Sequence, residues 1–351
     1  MYRDTSNQSG DRSEITVYLD LIKKDGFKPA AEISIGPFHG DTLSVAKSIG
    51  REIVDFSSFL KDSNPDFILI MGDRSEALGA AISAAYLNIP IAHLSGGDSA
   101  RAGIDEGARH AISKFSSLHF PATELSKKRL LKMGEDSWRI TVSGEPGIDT
   151  IVNCDFLYKK ELSRKLGISF ESEYILLIQH SVSTEPEKSK EQISETIHAL
   201  KKIDKQTIFI YPNSDAGGYQ IIECLDKIRD DKKFFGFDNL PHTEYLSLLK
   251  HCSLIVGNSS SGIVESSSFK IPAVNIGIRQ ESRERSSNVI DVDHSFEQIV
   301  SAVELGLSQK FKTSIQKIIN PYGKGNASEI ICEKLANIEI SKKLIQKKLT
   351  Y

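Results

Sequence analysis

Apolar residues fall along this chain in two patterns. Short runs that are apolar at nearly every position alternate with longer stretches in which apolar residues recur every three or four positions. The first pattern predicts strands buried on both faces, and the second predicts amphipathic helices. Their alternation predicts a parallel sheet covered by helices. Residues 1–13 read as a polar loop, 15–26 as a helix closed by a glycine, 31–35 as a strand and 43–60 as a long helix. The run 67–71 is apolar throughout and reads as a strand buried on both faces. Helix 77–87, strand 89–94, helix 105–115, the short strand 119–120, helix 125–133 and strand 140–142 follow. Residues 150–170 read as a crossing into a second series. Its strands are 174–178, 207–211, 234–237, 254–256 and 273–276, and its helices 187–202, 220–229, 243–251 and 263–269. The last stretch, 328–349, is helical and basic, with Lys342, Lys343, Lys347 and Lys348 on a solvated face.

The expected fold class is therefore α/β: two doubly wound, Rossmann-like domains over residues 1–155 and 156–325, with a C-terminal helix over 326–351. Two such units leave a cleft between them. Ligands of these sheets bind outside the carboxyl ends of the strands, and every polar turn considered below lies at such an end.

Composition narrows the class of partner. A length of 351 residues is enough for two domains, and a net charge of −3 implies no broad basic face, so nucleic acid is not an expected partner. Cys154, Cys224, Cys252 and Cys332 are scattered without CxxC spacing. That argues against zinc and against a disulfide framework. No apolar stretch approaches the ~18 residues of a membrane span, and the opening residues show no signal-peptide pattern. A cytoplasmic protein without membrane partner, metal or cofactor is expected.

The candidate chemistry centres on the turn Gly257-Asn258-Ser259-Ser260-Ser261-Gly262 between a buried strand and a helix. Unpaired N–H groups and the helix dipole at such a turn suit a phosphate. The two glycines let the backbone come close, and Ser259, Ser260 and Ser261 add hydroxyl donors. Glu265, one turn in, is unsuited to a phosphate but could accept hydrogen bonds from a ribose diol. The plainer alternative is that Asn258 or Ser259 caps a helix.

Other strand-end turns add charge. Gly72-Asp73-Arg74 places a carboxylate beside a guanidinium, as a substrate contact or as a helix cap. The turns holding Asp98, Asp105 and Glu106 join Asp73 on one cleft wall, where crowded carboxylates raise one another's pKa and suit acid–base work. His180 follows the strand 174–178 directly, placed for proton transfer or for bonding a neighbouring carbonyl. Asn213 lies in the polar turn after 207–211. Arg279, Arg283 and Arg285 could neutralise a diphosphate or form a surface ion-pair cluster with Glu281 and Glu284.

These motifs occur in a recognisable order: GDR at Gly72, HLSGGD at His93, IDEGARHAISK at Ile104, YPNSDAGG at Tyr211, GNSSSGIVE at Gly257, NIGIRQ at Asn275 and NPYGKGNAS at Asn320. From about Asp25 to about Cys332 the chain resembles the hydrolysing UDP-N-acetylglucosamine 2-epimerases of sialic and legionaminic acid synthesis. That family shares the two-domain fold of the GT-B glycosyltransferases. The resemblance implies a UDP-sugar substrate, UDP-N-acetylglucosamine or UDP-N,N'-diacetylbacillosamine. It implies anti elimination of UDP across C1–C2, then water addition that frees a sugar inverted at C2, and a homo-dimer or homo-tetramer. It puts Ser259, Ser260 and Ser261, with Gly262, on the diphosphate, Glu265 on the ribose and Arg279 in the same nucleotide site. It has Asp73, Asp105 and His180 move protons at the sugar, and Arg74 and Asn213, from their place in strand-end turns, are expected as further substrate contacts. Many relatives carry Glu where Ser95 stands. Serine cannot act as that acid or base, and Asp98, three residues on, is expected to take its place. Relatives also open with a βαβ unit bearing a substrate-binding arginine, whereas Met1-Tyr2-Arg3 resembles the turn after that unit. A start placed too late, or a truncated gene, and hence an incomplete first domain, is the expectation. A GT-B glycosyltransferase and a non-catalytic nucleotide-sugar binding protein are the competing readings.

Overall fold

The computed structural model describes residues 22–23, 26–33, 42–100, 104–182, 184–213, 216–348 and 350. The expected loop over 1–13, most of the helix over 15–26 and the end of the strand over 31–35 lie outside these residues, as do Ser214 and Asp215 of the motif at Tyr211.

In the first unit α1 (Thr42–Ser63), β1 (Ile68–Met71), α2 (Ser75–Tyr86), β2 (Ile91–Leu94), α3 (Ile104–Phe115), β3 (Leu118–Phe120) and α4 (Glu124–Lys132) alternate as the pattern predicts. The strands are parallel in the order β1-β2-β3, with Ile70 opposite His93 and His93 opposite His119. Residues 140–142 do not add a strand. Ile140 makes one parallel bridge to His119 and the chain leaves the sheet. The expectation that β1 is buried on both faces is also overturned. Ile70 is buried against α1 and α2, but Leu69 and Met71 are 55% and 56% exposed. Among the described residues β1 is an edge strand, and helices cover one of its faces.

The crossing over 150–170 is itself helical, with α5 (Pro146–Asn153) and α6 (Lys159–Leu166). Beyond it lie β4 (Tyr174–Ile178), α7 (Ser189–Ile203), β5 (Gln206–Ile210), α8 (Gly218–Asp226), β6 (Phe234–Phe237), α9 (His242–His251), β7 (Leu254–Gly257), α10 (Ser261–Val264), α11 (Ser266–Phe269) and β8 (Ala273–Ile276). A further strand β9 (Val289–Val292) and helices α12 (Phe296–Leu307) and α13 (Gln309–Ser314) complete the unit. All six strands are parallel, in the order β6-β5-β4-β7-β8-β9. The order reverses between β4 and β7, and that switch point is where a doubly wound sheet opens a crevice at its carboxyl ends.

The strand alternation that makes each run apolar throughout feeds two cores. Ile175 and Leu177 of β4 join Phe209, Val256, Ile193 and Val303 on one face. Tyr174, Leu176 and Ile178 join Ile208, Ile255, Leu162 and Leu248 on the other. Each such side chain contributes about 1.5–3 kcal/mol by leaving water.

The C-terminal stretch is two helices, α14 (Ala327–Asn337) and α15 (Lys342–Ile345). They pack on the first unit, Ile331 and Leu344 against Ala92, Leu94, Leu118 and Phe120. Lys347 is not on a solvated face. Its Nζ reaches the carbonyls of Ser113 and Ser116 and the buried Glu135. No helix among the described residues is long and apolar enough to cross a membrane.

Candidate functional site

The switch point brings the turns after β4 and β7 side by side. Gly257 ends β7 at φ +125°, and a Cβ there would lie 2.0 Å from the Ile178 carbonyl oxygen. Glycine is required because two strands and a left-handed turn meet at one point. Asn258 is fully buried and does not cap a helix. Its side-chain oxygen accepts the His180 N–H at 2.7 Å, and its side-chain amide donates to the His180 carbonyl at 2.8 Å. Its own carbonyl accepts from Arg279 at 3.1 Å and from Gln280 at 2.8 Å. One asparagine thus ties the turns after β4, β7 and β8 together. His180 Nδ1 accepts from the Asn213 backbone N–H at 3.3 Å, which adds the turn after β5.

The serines open a helix that is broken at Glu265 into α10 and α11. Ser259 Oγ accepts from the Ser261 N–H at 3.4 Å, and Ser260 supplies the N-cap of α10. Gly262 faces the sheet, with its nearest neighbours Ala273 and Ile255. It therefore sets how closely the helix lies on β7 and β8. Burial raises the Glu265 carboxyl above the ordinary range, with Ser261, His242 and Tyr245 pulling the other way. Tyr245 donates its hydroxyl to Glu265 at 3.4 Å.

On the first unit the acidic turns are not a crowd of free carboxylates. The guanidinium of Arg109, 4% exposed, bonds Asp73 on one side and Glu106 at 2.6 Å on the other. Glu106 also accepts from Ser99 at 2.7 Å and from the Ala100 N–H at 3.0 Å. Asp98 pairs with Arg283 of the other unit at 3.0 Å. Guanidinium groups thus pair with Asp73, Glu106 and Asp98. Asp105 sits in the first turn of α3. Burial, and more weakly the Asp105 charge, pushes Glu76 up, against a pull from its own backbone N–H. Arg74 is the N-cap residue of α2 without a capping bond, and its largely exposed side chain pairs with Glu76 at 3.1 Å. Asp73 does not cap that helix. His93 of β2 ties the turn after β1 to α3, with Nε2 2.8 Å from the Gly72 carbonyl and Nδ1 3.1 Å from Ser113 Oγ.

The three arginines after β8 part company. Arg279 holds the serine turn, Arg283 crosses to Asp98, and Arg285 turns back to Asp291 at 2.8 Å. Glu284 accepts the Leu125 N–H at 3.2 Å. Arg129 of α4 bonds the carbonyls of Gly97 and Ser282, another link between the units.

Four contributors escaped the sequence reading: Arg109, Asn258 as a tie, Arg283 as a bridge, and Glu145. Glu145 stands at the N-cap of α5, where it accepts the Ser95 hydroxyl at 2.8 Å. The signal for it was Pro146, directly after Glu145 and suited to the first helical position.

Comparison with known proteins adds the family. A family model described as UDP-N-acetylglucosamine 2-epimerase matches residues 18–336. The chain is 38% identical over 330 residues to the UDP-N,N'-diacetylbacillosamine 2-epimerase (hydrolyzing) of Legionella pneumophila, covering 94% of this chain and 86% of that one. It is 36% identical over 292 residues to the GDP/UDP-N,N'-diacetylbacillosamine 2-epimerase (hydrolyzing) of Campylobacter jejuni, covering 81% and 76%. Its structure superposes on the UDP-GlcNAc 2-epimerase of Neisseria meningitidis bound to UDP-GlcNAc with a TM-score of 0.81, covering 93% and 90% at 20% identity, a likeness of fold. With two Rossmann-like units linked by the Asp98–Arg283 pair and a match over most of its length, the chain belongs to the UDP-N-acetylglucosamine 2-epimerase family, in its hydrolysing type.

Proposed function

We propose that the protein takes UDP-N,N'-diacetylbacillosamine or UDP-N-acetylglucosamine and releases UDP and the free amino sugar inverted at C2, a precursor for nonulosonic acid synthesis. The observation that carries this reading is the joined switch point. The serine turn, His180 and Asn213 lie together at the carboxyl end of the second sheet, and the Asp98–Arg283 pair links them to the acidic wall of the first. In this reading Ser259, Ser260, Ser261 and the backbone at Gly262 hold the diphosphate, with Arg279 beside them. Glu265 takes the ribose diol. Its desolvated carboxylate regains, from two hydroxyl donors, the hydrogen bonds that burial removed. Arg74 and Asn213 complete the substrate contacts.

The chemistry follows from what leaves. The C2–H bond breaks, its electron pair forms the C1=C2 double bond, and the C1–O bond breaks with its pair staying on the terminal phosphate of UDP. Water then adds its oxygen to C1, and C2 regains a proton on the opposite face. Fixed N–H groups and a guanidinium stabilise the departing anion, the kind of preorganised stabilisation that dominates many rate enhancements. Asp73, Asp98, Asp105 and His180 serve the proton steps around the sugar.

Incubation with each UDP-sugar in deuterated water tests the reading. UDP and a free, C2-inverted sugar carrying deuterium at C2 are expected. Sugar transfer that needs an acceptor would make the protein a glycosyltransferase, and binding without turnover would make it a binding protein.

A further inference from the structure

We propose that Glu145 is a catalytic residue of the cleft: its carboxylate, held by the Ser95 hydroxyl, removes the C2 proton of the sugar. This rests on the functional reading above and names a group for one of its steps.

The first argument is geometric. Elimination runs best with the breaking C2–H and C1–O bonds antiperiplanar, so the base stands on the face of the ring away from the leaving group. UDP is assigned to the second unit, and the base therefore belongs to the first. There Asp73 is bonded to Arg109 and Asp98 to Arg283. Proton uptake by either of them would break an ion pair. Glu145 is held by a neutral hydroxyl instead, at 2.8 Å. Proton uptake there breaks no ion pair.

The second argument is how firmly both partners are fixed. Ser95 sits at φ +59°, in the left-handed region that non-glycine residues seldom adopt, and its N–H is bonded to the Phe120 carbonyl at 3.0 Å. Glu145 donates its backbone N–H to the Tyr322 carbonyl at 2.7 Å, and Gly144 before it packs directly on Gly323. The hydrogen bond thus joins two points that the backbone already determines, which is the rigidity a positioned base needs.

The charges around the carboxyl agree. Burial raises it, the Ser95 hydroxyl and Arg283 lower it, and Asp98 after β2 and Glu265 after α10 raise it further. A carboxylate raised in this way is a stronger base that still ionises. In the proposed step the C2 proton passes to a Glu145 oxygen as the electron pair moves into C1=C2 and UDP departs.

The test uses the full chain with UDP-N-acetylglucosamine and UDP-N,N'-diacetylbacillosamine. Glu145→Gln keeps an acceptor for Ser95 but cannot take a proton. It should lower kcat by about 100-fold or more, abolish deuterium exchange at C2 and leave the UDP dissociation constant within about 2-fold. Ser95→Ala removes the donor that favours the ionised form, so the acid limb of the kcat/KM profile should move to higher pH. A folded Glu145→Gln variant with kcat within about 3-fold of wild type overturns the proposal. If that variant does not fold, an unmoved acid limb in Ser95→Ala overturns it. A wild-type chain that releases no UDP from either sugar overturns the functional reading and this proposal with it. An active wild type with an active Glu145→Gln overturns the proposal alone.

Discussion

Two glutamates show how position decides what a carboxyl does. Glu265 is buried beside the serine turn with partial hydrogen bonding from Tyr245, and its carboxyl is raised by burial. Replacing it with Ala removes the proposed ribose acceptor, and hydrogen bonds to a charged group are worth roughly 1.5–3 kcal/mol. Glu265→Ala should therefore weaken UDP binding by roughly 10- to 100-fold in a calorimetric titration, and unchanged affinity would remove the residue from the site. Glu52 on α1 has no such role. It is fully buried against Gly79 of α2, neither carboxylate oxygen has a hydrogen-bond partner among the described residues, and burial raises its pKa to about 7, with Arg74 opposing. Because the folded pKa lies above the unfolded value, its contribution to stability is fully present below about pH 4.5 and is lost as pH rises through about 7. Glu52→Gln should flatten that slope. Melting curves between pH 4.5 and 8 should show the variant gaining on wild type as pH rises, by a few kcal/mol in order of magnitude, and parallel curves would refute the assignment.

At the scale of elements the glycines of the serine turn differ. Gly257 combines φ +125° with a carbonyl oxygen 2.0 Å from any added Cβ, whereas a Cβ at Gly262 would meet Ala273 at an ordinary 3.8 Å. Gly257→Ala should cost on the order of 3 kcal/mol or more. Gly262→Ala should leave the melting temperature within a few degrees, since helix propensity offsets the small crowding. Equal effects of the two would show that the strand crossing is not what demands glycine. The same local logic explains what was legible. Strands such as β4 and β7 are apolar throughout because helices cover both their faces, so the pattern located them within a residue or two. β9 is an edge strand with an exposed Asp291 in its middle and carries no such run. β1 reads as buried because its residues are apolar, yet pattern alone cannot say whether both faces find a partner. Turns could be read as polar strand ends, and the order of motifs pointed to the family. Their internal pairing could not be read, because Arg109 with Asp73, Asn258 with His180, and Ser95 with Glu145 are contacts 36 to 78 residues apart.

At the scale of the whole molecule the chain passes between the units twice, and the two passages lie side by side. The Glu145 N–H bonds the Tyr322 carbonyl, and the Asp149 carboxylate accepts the Ala327 and Ser328 N–H groups at 2.8 and 2.7 Å. The second passage returns the C-terminal residues to the first unit, where charged groups fasten them. Buried Arg139 donates to the carbonyls of Lys343 and Leu344 at 2.7 and 2.8 Å, and Lys347 reaches Glu135 at 2.7 Å. Burial alone would raise Glu135, but His119, Lys114 and Lys347 outweigh it and hold its pKa at about 2. A depressed carboxyl contributes stability above its unfolded pKa of about 4.5 and loses it as pH falls towards 2. Lys347→Met removes one of three partners from a carboxylate with no exposed surface and takes one donor from each of two backbone carbonyls. Breaking a buried pair costs roughly 3–5 kcal/mol when nothing replaces it, and Lys114 with His119 should hold the loss to about 2 kcal/mol. The melting temperature at pH 7 should therefore fall by several degrees, and the loss of stability between pH 4.5 and 3 should be shallower than in wild type. Lys114→Met should cost less, because that lysine is 37% exposed and Lys347 continues to serve Glu135. A Lys347→Met variant that melts with wild type at both pH values would show that the C-terminal residues are held by Leu344 and Ile331 packing alone.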